Sequence, residues 1–449
     1  MAKKHHVSYS CNSCGNMQTS WSGKCSQCGE WNTLVENIEI SNLQIKQNGT
    51  NLKVQSVIDV SAKETKERIL TGDKQLDVVL GGGFVQGSVV LLAGQPGIGK
   101  STLLLQIAHD VSLNVPTLYV SGEESAHQVA SRAIRLNRNK SDLKLASSTV
   151  ADDIAKTISS GEFKVVIVDS IQTITCNDIS STAGSVSQIT NSSNMLSQAS
   201  KASDTTLIIV GHVTKEGSIA GPKILEHSVD AVLQLEGDRY GGFKVLRSIK
   251  NRFGSTNEAG IYEMKESGLV AVDNPSASLL EERQVTDGSV VLATMEGTRP
   301  LLVEIQALVN TSSYGYPKRA SSGFDQNRLN LLIAMLEKRT KLALGDKDIY
   351  INVVGGIAVN EPAADLAICM AIASASKGMQ LKKNAVVFGE LGLSGEVRHV
   401  SHIEKRVAEA KKLGFEAAIG PKYRGEGKMP LLTPVKDIRS ALNNFLEKE

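Results

Sequence analysis

Gly94-Gln95-Pro96-Gly97-Ile98-Gly99-Lys100-Ser101 decides the fold of this 449-residue chain. It fits G-x-x-x-x-G-K-[ST], a phosphate loop. A triphosphate crowds anionic oxygens together, so its site needs backbone N–H groups that come close, a lysine charge and a hydroxyl for Mg²⁺. Gly94, Gly97 and Gly99 remove the side chains that would block the approach. Lys100 is placed for the β- and γ-phosphates, and Ser101 for the metal. The stretch Gly94, Gln95, Pro96, Gly97, Ile98, Gly99, Lys100, Ser101 and Thr102 is the expected ATP cradle, at a helix N-terminus. Its flanks fit. Val89-Val90-Leu91-Leu92-Ala93 is an unbroken apolar run, as in a parallel strand buried on both faces. Leu104, Ile107, Ala108 and Val111 recur afterwards at helical spacing.

Outward from the loop, further apolar runs predict strands at Thr117–Val120, Val165–Val168, Leu207–Val210 and Ala231–Leu235. Helical patterns between most of them imply a parallel sheet with crossover helices. Two runs end in acids. Val165-Val166-Ile167-Val168-Asp169 has the Walker B form, with Asp169 holding Mg²⁺ through water opposite Ser101. Tyr119-Val120-Ser121-Gly122-Glu123-Glu124 sets two carboxylates beside it. Glu123 is the first candidate to polarise the attacking water and Glu124 the second, with capping of the next helix as its other role. His212 closes a neighbouring strand, where it would sense the γ-phosphate or simply be structural. Residues 175–194, rich in Ser, Thr and Asn, read as a mobile loop. The loop from Gly211 to Pro222 reads as its companion at a central pore. In Lys250-Asn251-Arg252-Phe253-Gly254 two cations flank Asn251 and can point the same way from a strand. They read first as a finger into a neighbour's ATP, next as a DNA-backbone contact, last as a basic hairpin tip.

At the N-terminal side, Cys11-x2-Cys14 and Cys25-x2-Cys28 are separated by ten residues. Four thiolates at this spacing surround Zn²⁺ and leave no position for water, which makes the metal structural. Gly15 and Gly29 allow the knuckle turns; Trp21 and Trp31 flank the second knuckle and read first as a cover for the zinc site, second as surfaces that stack on bases or a partner. Cys176 and Cys369 stand apart and read as ordinary buried residues. The net charge is +2, so any nucleic-acid contact must come from local patches. A 41% hydrophobic content with 4% aromatics implies aliphatic cores. No apolar stretch approaches a membrane span. No apolar signal core follows Met1–His6, so a cytoplasmic protein with no membrane partner is the expectation.

The knuckles, T-G-x-x-x-L-D from Thr71, G-x-P-G-I-G-K-S, Y-V-S-G-E-E-S, V-D-S and K-N-R-F-G together resemble the bacterial RadA (Sms) family of DNA-repair proteins, along essentially the whole chain. The core resembles RecA-type and DnaB-type motors. That resemblance implies Lys250 and Arg252 reaching into the next subunit's nucleotide. It also implies a hexameric ring, a partnership with RecA, and branch migration on single-stranded and branched DNA.

The C-terminal part resembles the Lon protease domain. Strands are expected at Leu302–Asn310 and Ile349–Val354. Helices are expected at Asn327–Leu342, Ala364–Ser376 and Ile403–Leu413, with a tight strand pair over Phe388–Val397. Lon's nucleophilic serine would fall at Ala363 and its lysine at Glu404, with Lys405 pointing elsewhere, so proteolysis is not expected. A platform for assembly and DNA binding is, with Arg319, Arg328, Lys338, Arg339, Lys341, Lys347, Lys382, Lys383, Lys405 and Arg406 as candidate basic surface.

The expected fold is therefore α/β: a RecA-like P-loop ATPase core, an N-terminal four-cysteine zinc module and a C-terminal α+β Lon-protease-like domain. The expected boundaries are 1–35 for the zinc module, 36–60 for a linker, 61–273 for the ATPase and 274–449 for the inactive Lon-like domain. ATP, Mg²⁺ and Zn²⁺ are the expected cofactors. The leading function is an ATP-driven DNA motor with Lys100, Glu123, Asp169, Lys250 and Arg252 at its catalytic site. The alternative is a regulator that ATP switches without translocation.

Overall fold

A computed structural model describes residues 8–11, 14, 16–18, 20–31, 33–37, 56, 68–212, 224–237, 242–312, 315–382 and 384–448. Gly15, Lys383, nearly all of the linker, and the part of the expected pore loop from Val213 to Pro222 lie outside the described residues. The chain divides into two compact units, Met1–Thr65 and Lys66–Glu449.

The first unit holds a three-stranded antiparallel sheet, with β1 (Ser8–Cys11) between β2 (Met17–Gln18) and β3 (Leu34–Asn37). Among the described residues its buried hydrophobic side chains are Cys11, Cys25 and Leu34, a very small cluster. Trp21 and Trp31 are 61% and 70% exposed. They do not cover the cysteines, contrary to expectation: Trp31 lies outward, with the Lys24 ammonium 5.7 Å from its ring.

The second unit begins with a nine-stranded sheet. Its strands are β4 (Val89–Gly94), β5 (Thr117–Ser121), β6 (Lys144–Ser147), β7 (Val165–Asp169), β8 (Thr206–His212), β9 (Ala231–Gly237), β10 (Phe243–Asn251), β11 (Ala259–Lys265) and β12 (Gly268–Ala271). Their order is β12-β11-β10-β9-β4-β8-β7-β5-β6. From β9 to β6 every pairing is parallel, as the strand–helix alternation requires, and β10 to β12 add an antiparallel meander. β4 is buried at every residue because helices cover both faces of the parallel part.

The expected mobile loop at 175–194 is corrected. Its second half belongs to a helix, Val186–Ala202, capped by the Ser185 hydroxyl, which accepts from Gln188 N. Ile189, Leu196 and Ala199 form an apolar stripe. Ser192, Ser193, Ser197 and Ser200 are buried beside it, because a serine is small enough to let helices approach.

The last sheet has seven strands in the order β15-β16-β14-β13-β18-β21-β22. They are β13 (Ser289–Glu296), β14 (Arg299–Thr311), β15 (Arg319–Ser322), β16 (Lys347–Val353), β18 (Ala385–Val387), β21 (Ala417–Gly420) and β22 (Leu432–Pro434). Two short pairs complete it: β17 (Gln380–Leu381) with β23 (Leu446–Glu447), and β19 (Glu390–Leu391) with β20 (Val397–Arg398). Helices Gln326–Thr340, Asp365–Lys377 and Ile403–Lys412 match the expected ones within two residues at each end. The core of this sheet also takes in Phe243 and Ile261 from β10 and β11, so the two sheets share apolar contacts.

Candidate functional site

The phosphate loop leaves the C-terminal end of β4 and turns into helix Lys100–Ser112. Gly97 and Gly99 have φ of 78° and 115°. A Cβ on Gly99 would meet Met264 Cε at 2.7 Å and Leu269 Cδ1 at 3.0 Å, so a side chain there would have to push both aside and hold an unfavourable backbone angle. At Gly97 nothing lies within 4 Å of an added Cβ. The loop thus presents open backbone at Gly97 and a tightly packed seat at Gly99, which suits a bulky anion above it. Ile98 is buried and fastens the loop to the sheet.

Lys100 is only 4% exposed. Its Nζ donates to Gly94 O at 2.8 Å and Gln95 O at 3.0 Å, and lies 3.2 Å from His212 Nδ1. Burial pushes this ammonium down to about 8, against the opposing pull of Asp169 and Glu123. Its hydrogen-bond partners are two carbonyls and an imidazole, none of them a carboxylate. A buried cation so placed is stabilised by an incoming anion.

The strand ends deliver the acids. Asp169 ends β7 beside Ser121 of β5, and its Oδ2 accepts from the Tyr119 hydroxyl at 2.6 Å. Burial, reinforced by that carboxylate, raises the Tyr119 hydroxyl well above its ordinary range, so it stays a donor. The paired glutamates diverge. Glu123 Oε1 accepts from Ser170 Oγ at 2.6 Å and lies 3.6 Å from His212 Nε2. Glu124 turns away to an ion pair with Arg132, and its N–H donates to Ser121 Oγ at 2.9 Å. His212 therefore stands between Lys100 and Glu123, a bridge that strand pairing alone did not reveal.

Lys250 and Arg252 are elsewhere. Lys250 Nζ donates to Glu226 O at 2.6 Å and Val229 O at 2.8 Å. Burial and the Arg252 charge lower the Lys250 ammonium from its ordinary range. Arg252 pairs with Asp230 Oδ1 at 3.1 Å, and Asp230 Oδ2 accepts from Val89 N at 3.0 Å. Val89 begins β4 and Gly94 ends it. The two cations thus sit at the opposite end of the central strand from their own phosphate loop, roughly 17 Å away at the usual rise per residue.

In the first unit, Cys11, Cys14, Cys25 and Cys28 bring their sulfurs within 4.8 Å of one another. Cys11–Cys28 and Cys14–Cys25 are each 3.6 Å apart. Four thiols gathered so closely, two of them buried, fit a tetrahedral metal. Gly29 turns with φ of 74°.

In the C-terminal region Ala363 is buried in the 3-10 turn Pro362–Ala364, just before the helix Asp365–Lys377. Glu404 faces outward to the Tyr423 hydroxyl at 2.7 Å, and Lys405 Nζ donates to Thr298 O at 3.0 Å. The expected basic surface needs correction. Arg406 is fully buried, donating to both oxygens of Glu361, and Arg328 pairs with the buried Asp365. A charge surrounded by apolar helices finds a carboxylate rather than solvent. Lys338, Arg339, Lys341 and Lys382 remain exposed.

Comparison with known proteins identifies domains and relatives. A family model described as an AAA domain matches residues 60–218. One described as the rubredoxin metal binding domain matches 9–36, and one described as subunit ChlI of Mg-chelatase matches 324–424. DNA repair protein RadA of Bacillus subtilis (strain 168) is 48% identical over 424 residues, 93% of each chain. The chain belongs to the RadA family of DNA repair proteins. RadA of Aquifex aeolicus (strain VF5) is 46% identical over 93% of this chain and 94% of its own. RadA of Escherichia coli (strain K12) is 43% identical over 99% of both. The RadA fold here combines an ATPase domain, a four-cysteine metal-binding module and a C-terminal α+β domain. No helix among the described residues is long and apolar enough to cross a membrane.

Proposed function

We propose that this RadA-family chain is an ATP-driven motor that binds single-stranded and branched DNA and promotes branch migration with RecA. The observation that carries the reading is the separation of Lys250 and Arg252 from their own phosphate loop. A cation pair at the far end of β4 serves a nucleotide only when another copy stacks head to tail, and such contacts close into rings. A hexamer is the proposed ring.

In each site, Gly94 to Thr102 hold the phosphates, with Lys100 on the β- and γ-oxygens. Ser101 and Asp169 hold Mg²⁺, which supplies charge neutralisation when bound. Glu123, free of the ion pair that occupies Glu124, takes the proton as water attacks the γ-phosphorus and the bond to the β–γ bridging oxygen breaks. The neighbour's Lys250 and Arg252 neutralise the charge that develops. Cys11, Cys14, Cys25 and Cys28 hold a structural Zn²⁺. Exposed Lys338, Arg339 and Lys341 suit phosphate contacts, and exposed Trp21 and Trp31 suit stacking on bases, which would make DNA binding salt-sensitive and tolerant of sequence.

A labelled three-strand junction tests the motor. Strand exchange with ATP, and none with ADP or a nonhydrolysable analogue, is expected; exchange with ADP alone, or none despite intact ATPase activity, would leave the ATP-switched regulator. Mixing tests the shared site. Lys100→Ala and Arg252→Ala proteins, each inactive, should regain ATPase activity when combined. Failure to complement rejects the finger in trans.

A further inference from the structure

The turn between β13 and β14 is keyed into the ATPase sheet. Thr298 N donates to Asn257 O at 2.6 Å, and a Cβ on Gly297 would fall 1.8 Å from that same carbonyl. Arg299 Nη2 donates to Asp273 O at 2.6 Å and Val272 O at 3.3 Å. Just before the turn, Glu296 is 7% exposed and receives Arg247 of β10 twice, from Nε at 2.8 Å and Nη2 at 2.7 Å. The remaining arm of the same guanidinium binds Glu236 of β9. Burial raises the Glu296 carboxyl, with Arg247 as the counterweight.

Glu236 is one residue beyond Leu235, and Leu235 is the register partner of Gly94. The Leu235 carbonyl is the floor of the loop entry, since a Cβ on Gly94 would meet it at 2.7 Å. A cavity of about 470 Å³ opens beside it, lined by Gln95 and Ile98 of the phosphate loop, by Glu236 and Arg247, and by Gly356 and Asn360 of the C-terminal domain. One arginine thus ties a strand under the phosphate loop to a carboxylate of the other domain.

We propose that Arg247 is a positioning residue for ATP, holding Glu236 and hence Leu235 under the loop in proportion to how firmly Glu296 seats the C-terminal domain. The inference rests on the reading of Gly94 to Thr102 as the ATP site. Coupling of this kind is reciprocal: if the seat of Glu296 strengthens ATP binding, ATP strengthens the seat. It gives the β13–β14 turn a means of registering whether the site is filled.

The test compares full-length wild type, Arg247→Met, Arg247→Lys and the near-isosteric Glu296→Gln. KM and kcat for Mg-ATP are measured, with hydrogen exchange at 289–298 with and without a nonhydrolysable ATP analogue. Arg247→Met and Glu296→Gln should each raise KM by about 5- to 150-fold, the usual span of coupling between sites, with kcat changed less than KM. The double variant should be no worse than the poorer single, and Arg247→Lys should recover part of the loss. ATP should protect 289–298 in wild type and not in Glu296→Gln. A lower melting temperature with KM and protection unchanged would make the bridge merely structural and overturn the proposal, as would additive losses. Lys100→Ala serves as control: if it binds and hydrolyses ATP like wild type, the ATP-site reading fails instead.

Discussion

Lys100 in the nine-stranded sheet and Arg406 in the seven-stranded domain are both buried cations, 4% and 0% exposed, yet their surroundings differ in kind. Arg406 is matched by a carboxylate. It makes a bidentate pair with Glu361 and donates to Ser401 O and Ala293 O. Lys100 touches carbonyls and an imidazole, while Asp169 and Glu123 act on it only from a distance. A matched pair locks a domain; an unmatched cation under an open glycine loop attracts an anion. The difference separates a structural charge from a working one more sharply than burial does.

The comparison breaks most easily at Arg406. Arg406→Met removes the counter-charge of Glu361 and leaves it only the Thr294 hydroxyl and the Met295 N–H as donors, and breaking a buried pair costs roughly 3–5 kcal/mol. Urea unfolding should show that loss; a cost below about 1 kcal/mol, typical of an exposed pair, would mean Glu361 finds solvent instead. Lys100→Ala should do the reverse. Phosphate release should fall on the order of 10²–10³-fold, as when one preorganised donor to a transition state is removed, with little change in unfolding. Wild-type turnover in that variant would reject the site.

A finer contrast lies within the adjacent glutamates. Glu123→Gln should lower kcat by about 10²-fold, the lower end for a general base. Glu124→Gln loses only its ion pair with Arg132, half-exposed on the Glu124 side, and should stay within about threefold, since such pairs contribute little. Equal losses would return Glu124 to candidacy.

The sequence made the parallel sheet legible because apolar runs, a glycine loop and helical spacing are local signals. The same holds for the cysteine quartet. What escaped it was long-range pairing. Arg406 looks like surface in Ser401-His402-Ile403-Glu404-Lys405-Arg406, because nothing nearby in the chain announces Glu361. The serines within 175–194 look like a loop because composition hides the stripe of Ile189, Leu196 and Ala199. The two glutamates cannot be told apart until Arg132 is seen to claim one and Ser170 the other. Lys250 and Arg252 read by motif as a finger into a neighbour's ATP, and the strand register adds where they sit on this chain, at the far end of β4.

The smallest effect expected is also the most direct test of the unmatched state of Lys100. With its ammonium lowered to about 8, it is charged well below that pH and neutral well above it. Bound triphosphate favours the charged form and raises this value, so the complex holds a proton that the free protein has begun to lose. Nucleotide binding should therefore take up protons at and above pH 8, and the affinity should decline as pH rises through 8, by up to about tenfold per unit. Below pH 7 this group should contribute no dependence. Isothermal titration of an ATP analogue in buffers of different ionisation enthalpy reads the proton count directly. Lys100→Arg keeps its charge throughout that range and should flatten the profile even where it slows hydrolysis. A wild-type profile that is flat from pH 7 to 9 would mean that Lys100 is as well matched as Arg406, and the contrast between the two domains would lose its electrostatic basis.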